Sequence, residues 1–175
     1  LYNPENGRLW GAQAVGAHGV DKRIDVLAAY IKKDGTISDL AEFEHAYAPP
    51  FASAKDPVNV LGFIAENDRD GLTSIISWRD LPRYTEQNAF VLDVRTPEEF
   101  ALGSLPNAVN IPHTALRKRL NEVPKDRLIV ITCGLGLRGY LADRILRQNG
   151  YTNTVNLSGG FTTYKIVQTE RQKLR

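Results

Sequence analysis

From about residue 72 onward, short continuous apolar runs alternate with segments whose apolar positions recur at helical spacing. Strands or strand ends are predicted at residues 90–94, 109–112, 128–132 and 155–157, and helices at residues 96–100, 116–123 and 140–148. Continuous apolar runs are typical of strands that are buried on both faces of a parallel sheet. The alternation of strands and helices therefore predicts a three-layer α/β domain with a central parallel sheet over residues 72–175.

The first 70 residues have a different rhythm. Asn6-Gly7 is a hairpin signal, an apolar helical face follows Asp21 and ends near Asp34-Gly35, and Thr36 is a candidate cap for a short helix. A further helix is predicted over residues 57–67, with Val60, Leu61 and Ile64 facing inward. The polar segment 67–71 is the candidate linker. Residues 1–70 are therefore predicted to form a separate, partial α+β domain.

Composition and charge exclude several classes of function. The net charge is +2, from 22 basic and 20 acidic residues without a long run of one sign, so no nucleic-acid partner is expected. The longest nearly apolar run, residues 128–137, is far shorter than the roughly 20 residues of a membrane span. We therefore expect no membrane association, and a cytoplasmic location because no signal-peptide pattern is present. The single cysteine cannot form an internal disulfide.

That cysteine, Cys133, follows the predicted strand 128–132 directly and precedes a predicted helix. Ligands of parallel α/β sheets bind beyond the carboxyl ends of the strands. The loop backbone, formed by Gly134, Leu135, Gly136, Leu137 and Gly139, is expected to aim N–H groups at the thiol and to stabilise the thiolate. Arg138 would add a permanent charge for an anionic substrate oxygen. The alternative is a buried structural cysteine, which is common in cores.

Four sequence elements resemble those of rhodanese-type sulfurtransferases, in the family's order and over about 100 residues. They are Cys-x-x-Gly-x-Arg at residues 133–138, Asp-Val-Arg-x-x-x-Glu-Phe at 93–100, Pro-x-Ala-x-Asn-Ile-Pro at 106–112 and Leu-x-Gly-Gly at 157–160. One departure is Ser104, where the family usually has histidine, and this difference is expected to alter the packing around the active loop.

The resemblance implies that Cys133 accepts a sulfane sulfur as a persulfide and passes it to a thiophilic acceptor such as a thiol. Asp93 and Arg95 would support the active loop, although an ordinary surface ion pair is the alternative for these two residues. Phosphatase chemistry is disfavoured, since four residues separate Cys133 from Arg138, one fewer than in a related phosphatase loop. The position that a phosphatase would fill with arginine is Gly139.

Residues 1–70 resemble the end of the dimerisation domain of pyridine nucleotide-disulfide oxidoreductases, through the segment Tyr-Ala-Pro-Pro-Phe at 47–51 and the Gly-Val-Asp-Lys-Arg-Ile-Asp segment at 19–25. The group in question contains the coenzyme A disulfide reductases and NADH-dependent persulfide reductases. The resemblance implies a homodimer through residues 1–70, with Tyr47 reaching across it to a coenzyme A substrate. The alternative for Tyr47 is a packed side chain whose hydroxyl bonds a backbone group.

No Gly-x-Gly-x-x-Gly motif follows a strand in these 175 residues. We therefore expect no cofactor on this part of the protein and no NADH-dependent reduction by it alone, whereas FAD, NAD(P)H and coenzyme A are implied for a full-length family member. His18, His45 and His113 lack ligand-like spacing, so no metal site is expected. The leading hypothesis is a sulfurtransferase module; a catalytically silent binding module and a purely dimerising segment are the alternatives.

Overall fold

The computed structural model describes residues 1–174. The chain divides into two compact units, Leu1–Leu72 and Thr73–Arg175. Each unit has a hydrophobic core of its own. Within the described residues, no helix combines the length and the apolar character that crossing a membrane requires.

The first unit contains three helices, α1 (Val20–Lys32), α2 (Ile37–Glu42) and α3 (Pro57–Arg69). The predicted hairpin is reduced to one antiparallel bridge between Tyr2 and Leu9. Thr36 caps α2 as predicted, because its side chain accepts a hydrogen bond from the Asp39 N–H while the Asp39 carboxylate bonds back. The core is formed by Leu9, Leu27, Ile37, Leu40, Val58 and Ala65.

The inward face predicted for α3 is wrong. Val60, Leu61 and Ile64 are 43%, 44% and 47% exposed, whereas Asn59 and Gly62 are buried against α2. The two helices approach so closely that a Cβ atom on Gly62 would lie 2.4 Å from the Ala41 nitrogen. Such an approach requires small residues at the contact, so the large apolar side chains of α3 face away from it. Helix α3 also extends to Arg69, through much of the predicted linker.

The second unit is a five-stranded parallel sheet with helices on both faces, as predicted. Its strands are β1 (Ile75–Ile76), β2 (Phe90–Asp93), β3 (Val109–Asn110), β4 (Ile129–Thr132) and β5 (Thr154–Leu157). They lie in the order β1-β5-β4-β2-β3. Its helices are α4 (Leu81–Glu86), α5 (Pro97–Ala101), α6 (Leu137–Gln148) and α7 (Gly160–Lys173).

Alternate residues of the central strand β4 point into two different cores. Ile129 and Ile131 join a cluster with Ile145 and Leu146 of α6, whereas Val130 belongs to a cluster that includes Phe161 of α7. All four residues of β4 are buried, and its three apolar residues pack into one cluster or the other. This arrangement explains why the strand is a continuous apolar run in the sequence.

Some local predictions for this unit were wrong. Residues 116–123 form two short 3₁₀ turns, Leu116–Lys118 and Leu120–Glu122, in place of an α-helix. Helix α6 begins at Leu137, three residues earlier than predicted, and Leu141 on it is exposed. Strand β1 and helices α4 and α7 were not predicted from the sequence at all.

Candidate active site

The ends of three neighbouring parallel strands bring the candidate residues together. Strand β4 lies between β2 and β5, and Asp93 at the end of β2 is in register with Thr132 at the end of β4. Cys133 therefore leaves the middle of the sheet, beside Asp93 on one side and the segment after β5 on the other. The carboxyl edge of a parallel sheet is the usual position of a ligand site, and here it carries the chain's only thiol.

Cys133 is 2% exposed and belongs to the core cluster that contains α6. Its Sγ accepts a hydrogen bond from the Gly136 N–H at 3.1 Å. The structure thus shows one of the backbone donors that were expected to face the thiol. Leu135 and Leu137, on either side of Gly136, are 70% and 71% exposed. The loop therefore curls over the sulfur with its backbone and turns these two side chains outward.

Helix α7 fixes the other side of the loop. The N–H of Phe161 donates to the Cys133 carbonyl at 2.8 Å, and the N–H of Thr162 donates to the Gly134 carbonyl at 3.1 Å. These two amides belong to the first turn of the helix, where backbone N–H groups lack partners within the helix. The carbonyls of Cys133 and Gly134 therefore find their hydrogen-bond donors in α7.

This contact depends on Gly160. Its backbone has φ of +53°, and a Cβ atom there would lie 2.3 Å from the Cys133 carbonyl oxygen. No other residue type would allow the helix to start so close to the loop. The close contact between α7 and the Cys133 loop thus explains why the second residue of the Gly-Gly pair is a glycine.

The Asn156 side chain of β5 hydrogen-bonds to the backbone of the Cys133 loop. Its Nδ2 donates to the Gly136 carbonyl at 3.2 Å, and its side chain packs against Gly139, which is buried in the first turn of α6. The Asn156 Oδ1 is buried and has no hydrogen-bond partner within residues 1–174. Asn156 thus binds the carbonyl of Gly136, and the N–H of the same residue donates to the Cys133 sulfur.

Asp93 and Arg95 form a buried ion pair, which rules out the surface-pair alternative. Their side chains are 0% and 6% exposed, and Arg95 Nη2 lies 2.6 Å from Asp93 Oδ2. Arg95 also donates to the Gly103 carbonyl at 2.7 Å and stacks over the Phe161 ring at 4.3 Å from its centroid. The pair thereby connects the end of β2 to α7, the helix that holds the active loop.

Arg138 was expected to add a permanent positive charge for an anionic substrate oxygen, and in the structure it forms an ion pair with Glu99. The guanidinium donates to both carboxylate oxygens, with Nη1–Oε2 at 2.5 Å and Nη2–Oε1 at 2.7 Å. The hydrogen bond from Arg138 lowers the pKa of Glu99 to about 2, and the bond to Glu99 raises the pKa of Arg138. Arg138 also lies against the loop, since a Cβ atom on Gly134 would be 3.2 Å from its Nη2.

Tyr47 belongs to the first unit. It is half-exposed and lines a cavity of about 500 Å³ together with Lys22, Phe43 and Phe51. Its ring centroid lies 6.3 Å from that of His45, which in turn stacks on Phe43. Its role toward coenzyme A stays a prediction. No group of three or more potential metal ligands occurs within residues 1–174.

Three residues at the site were missed by the sequence reasoning or given a smaller role. Glu99 was named only as the glutamate of the Asp-Val-Arg-x-x-x-Glu-Phe element, and the structure shows that it also forms a capping box with Thr96. Its ion pair with Arg138 joins residues 39 positions apart, which no local pattern reveals. Asn156 and Phe161 carried no signal beyond their place in or next to the Leu-x-Gly-Gly element.

The comparisons with known proteins agree with this geometry. The family model of the rhodanese-like domain matches residues 78–166. A sulfurtransferase of Allochromatium vinosum is 40% identical over 78 residues, which cover 45% of this chain and 73% of that protein. The chain belongs to the rhodanese-like family.

Its wider resemblance is to larger proteins. A coenzyme A disulfide reductase of Staphylococcus aureus is 46% identical over 65 residues, which are 37% of this chain and 15% of that protein. The crystal structure of reduced Bacillus anthracis CoADR-RHD has a TM-score of 0.92 and 46% identity, covering 97% of this chain and 30% of that one. An NAD-dependent persulfide reductase from A. fulgidus has a TM-score of 0.76 and 40% identity, covering 85% and 26%.

The chain thus carries a rhodanese sulfurtransferase domain related to coenzyme A disulfide reductases and persulfide reductases. It spans less than a third of either of these two solved chains and about a seventh of the staphylococcal reductase.

Proposed function

We propose that this chain is a sulfurtransferase module that carries sulfane sulfur as a persulfide on Cys133. The observation that carries the proposal is the hydrogen bond from the Gly136 N–H to the Cys133 Sγ, at the carboxyl end of the central strand. A backbone donor at this position stabilises negative charge on the first sulfur and does not titrate. The relationship to a sulfurtransferase of Allochromatium vinosum supports the same reaction class.

The proposed reaction has two displacement steps. In the first, the Cys133 thiolate attacks the sulfane sulfur of a donor, the donor's S–S bond breaks, and its electron pair departs with the leaving thiolate or sulfite. In the second, an acceptor thiolate attacks the outer sulfur of the persulfide, and the electron pair of that S–S bond returns to Cys133. Sulfur changes carrier in both steps, and no external oxidant or reductant is needed.

For the first unit we propose a role in assembly. Residues 1–70 would form a homodimer interface, and Tyr47 would approach a coenzyme A substrate bound on the partner. The support is the resemblance to reduced Bacillus anthracis CoADR-RHD, which extends over 97% of the chain, and the apolar side chains that this unit exposes. In a longer protein of this type, FAD and NAD(P)H would bind outside these 175 residues.

The test of the sulfurtransferase proposal is mass spectrometry of the intact chain. After incubation with thiosulfate or an organic persulfide, the chain should gain the mass of one sulfur atom at Cys133, and later addition of cyanide or a thiol should remove it. Cys133→Ser should neither gain sulfur nor transfer it, since the nucleophile is lost. Cys133 is the only cysteine, so the measurement reports on one site.

The same experiment separates the proposed function from a catalytically silent domain. A silent binding module would show no stable mass gain with either donor, although its fold would be intact by circular dichroism. Sulfur transfer that continues at the wild-type rate in Cys133→Ser would also overturn the assignment, because another group would then have to carry the sulfur.

A further inference from the structure

Glu99 is held in place from several directions at once. Its backbone N–H donates to Thr96 Oγ1 at 3.3 Å, and its carboxylate accepts the Thr96 N–H at 3.0 Å. Its carbonyl oxygen accepts a hydrogen bond from Arg95 Nη1 at 3.2 Å. Both carboxylate oxygens also accept hydrogen bonds from the Arg138 guanidinium. Glu99 is therefore fixed independently of any substrate.

Both arginines near Cys133 are engaged in ion pairs. Arg95 is paired with Asp93, and Arg138 is paired with Glu99. Each pair carries no net charge, so an incoming anion meets N–H donors of Arg138 together with the adjacent carboxylate of Glu99. A dianionic donor such as thiosulfate gains little from such a pair. The persulfide group of an organic donor brings at most one charge, located on the sulfur that is transferred.

We propose that Glu99 is a specificity-determining residue, which masks the charge of Arg138 and directs the site toward organic persulfides and away from dianionic donors. This inference rests on the proposed sulfurtransferase function for its biological meaning. The proposed electrostatic effect involves only Cys133, Arg138 and Glu99. It can therefore be measured with reagents that require no sulfur transfer.

The first measurement uses alkylation of Cys133 by iodoacetate and iodoacetamide, which differ in charge but hardly in size. In Glu99→Gln, the ratio of the iodoacetate rate to the iodoacetamide rate should rise about tenfold, since the negative charge that is paired with Arg138 of the Cys133 loop is removed. Glutamine preserves the helix cap, because it is equally suited to the third helical position. Arg138→Gln should shift the same ratio downward, because the charge of Glu99 is then uncovered.

The matched control is Glu122→Gln. Glu122 forms a comparable ion pair with Arg119, at 2.6 Å, in the 3₁₀ turns of the same unit. Its removal changes the net charge by the same amount but leaves the pair at Arg138 intact. The alkylation ratio should then stay near the wild-type value. The double variant Glu99→Gln/Arg138→Gln should lose the gain of the single variant, because that gain comes from an uncovered guanidinium.

The second measurement compares two sulfur donors, thiosulfate and methanethiosulfonate, in which a methyl group replaces one charged oxygen. The ratio of their kcat/KM values should rise about tenfold in Glu99→Gln, in parallel with alkylation. An unchanged alkylation ratio in both Glu99→Gln and Arg138→Gln would refute the masking. If the ratios shift as expected while no variant transfers sulfur, the masking holds and the proposed function fails.

Discussion

The two units of this chain place their apolar residues in opposite ways. In the second unit, the continuous apolar runs are buried on both faces of the sheet, and Val130, Ile131 and Leu157 are completely covered. In the first unit, α3 turns Val60, Leu61 and Ile64 outward, and Trp10 and Phe51 are also exposed. A parallel sheet covers its own apolar runs, whereas three short helices leave part of theirs for another surface.

The two units also use close backbone approach for different purposes. Gly62 lets α3 approach α2, and that contact only packs one helix on another. Gly160 lets α7 approach the Cys133 loop, and that contact positions the peptide groups around the nucleophile. The close approach in the second unit therefore positions the candidate site, whereas the one in the first unit serves helix packing alone.

The largest expected effect is that of Gly160→Ala. The new Cβ atom would overlap the Cys133 carbonyl, and alanine disfavours φ of +53°. We expect a loss of about 3 kcal/mol or more in the free energy of unfolding, together with loss of sulfur transfer. Urea unfolding and the mass-spectrometric transfer assay would measure the two effects.

Gly150→Ala is the matched control for this variant. Gly150 also has a positive φ, of +84°, but a Cβ atom there would contact only the flexible end of Lys125, at 3.7 Å. It should cost about 1 kcal/mol, from backbone strain alone, and leave transfer intact. Equal losses for the two variants would show that the contact between α7 and the loop is not what makes Gly160 special.

The elements that were predicted correctly have a local sequence pattern, whereas the features that were missed depend on tertiary contacts. The helix cap at Thr36 was predicted because a cap is a local pattern, and the strands around β4 were predicted because their apolar runs are continuous. Helix α7 was missed because it contacts the core through few residues, chiefly Phe161 and Tyr164. The outward face of α3 was missed because a close helix contact reverses the usual rule that large apolar residues face inward.

For the site, the sequence was sufficient to place Cys133 and Arg138 on the loop between β4 and α6. It could not show that Glu99 pairs with Arg138, since that pairing requires β2 and β4 to be neighbours in the sheet. The contact of Phe161 with the Cys133 carbonyl likewise depends on tertiary structure. Local chemistry was thus predictable, whereas the partners that tune it were not.

A smaller effect is expected from making the α3 face polar. The combined substitutions Val60→Ser, Leu61→Gln and Ile64→Gln should weaken the proposed homodimer about tenfold or more, as the loss of a central apolar contact typically does. The stability of the monomer should hardly change, because these side chains are already largely exposed. Light scattering over a concentration series would measure the association.

The control for the α3 variant is Ile166→Ser on α7. Ile166 is 58% exposed, so it offers a comparable apolar side chain on the other unit. This variant should associate like the wild type. If it weakens association while the α3 variant does not, the interface belongs to the second unit and the assignment of residues 1–70 is wrong.

The smallest expected effect is the pH dependence of the Glu99–Arg138 pair. The pKa of Glu99 is about 2 in the folded chain, against 4.5 ordinarily, because Arg138 stabilises the carboxylate. A lowered folded-state pKa means that the stabilisation is complete above about pH 4.5 and disappears as the pH falls toward about 2. Its size should be at most about 1 kcal/mol, because Glu99 and Arg138 are 38% and 29% exposed and water screens the pair.

The measurement is the difference in unfolding free energy between the wild type and Glu99→Gln, by urea titration at several pH values. The difference should be constant from neutral pH to about pH 5 and should shrink progressively below about pH 4, as protonation removes the wild-type carboxylate. Glu122→Gln, whose carboxyl pKa is also lowered by an arginine, measures how much of this behaviour any exposed pair contributes. A difference that grows on acidification would mean that Glu99 destabilises the folded chain when ionised, contrary to its hydrogen bonds with Arg138 and Thr96.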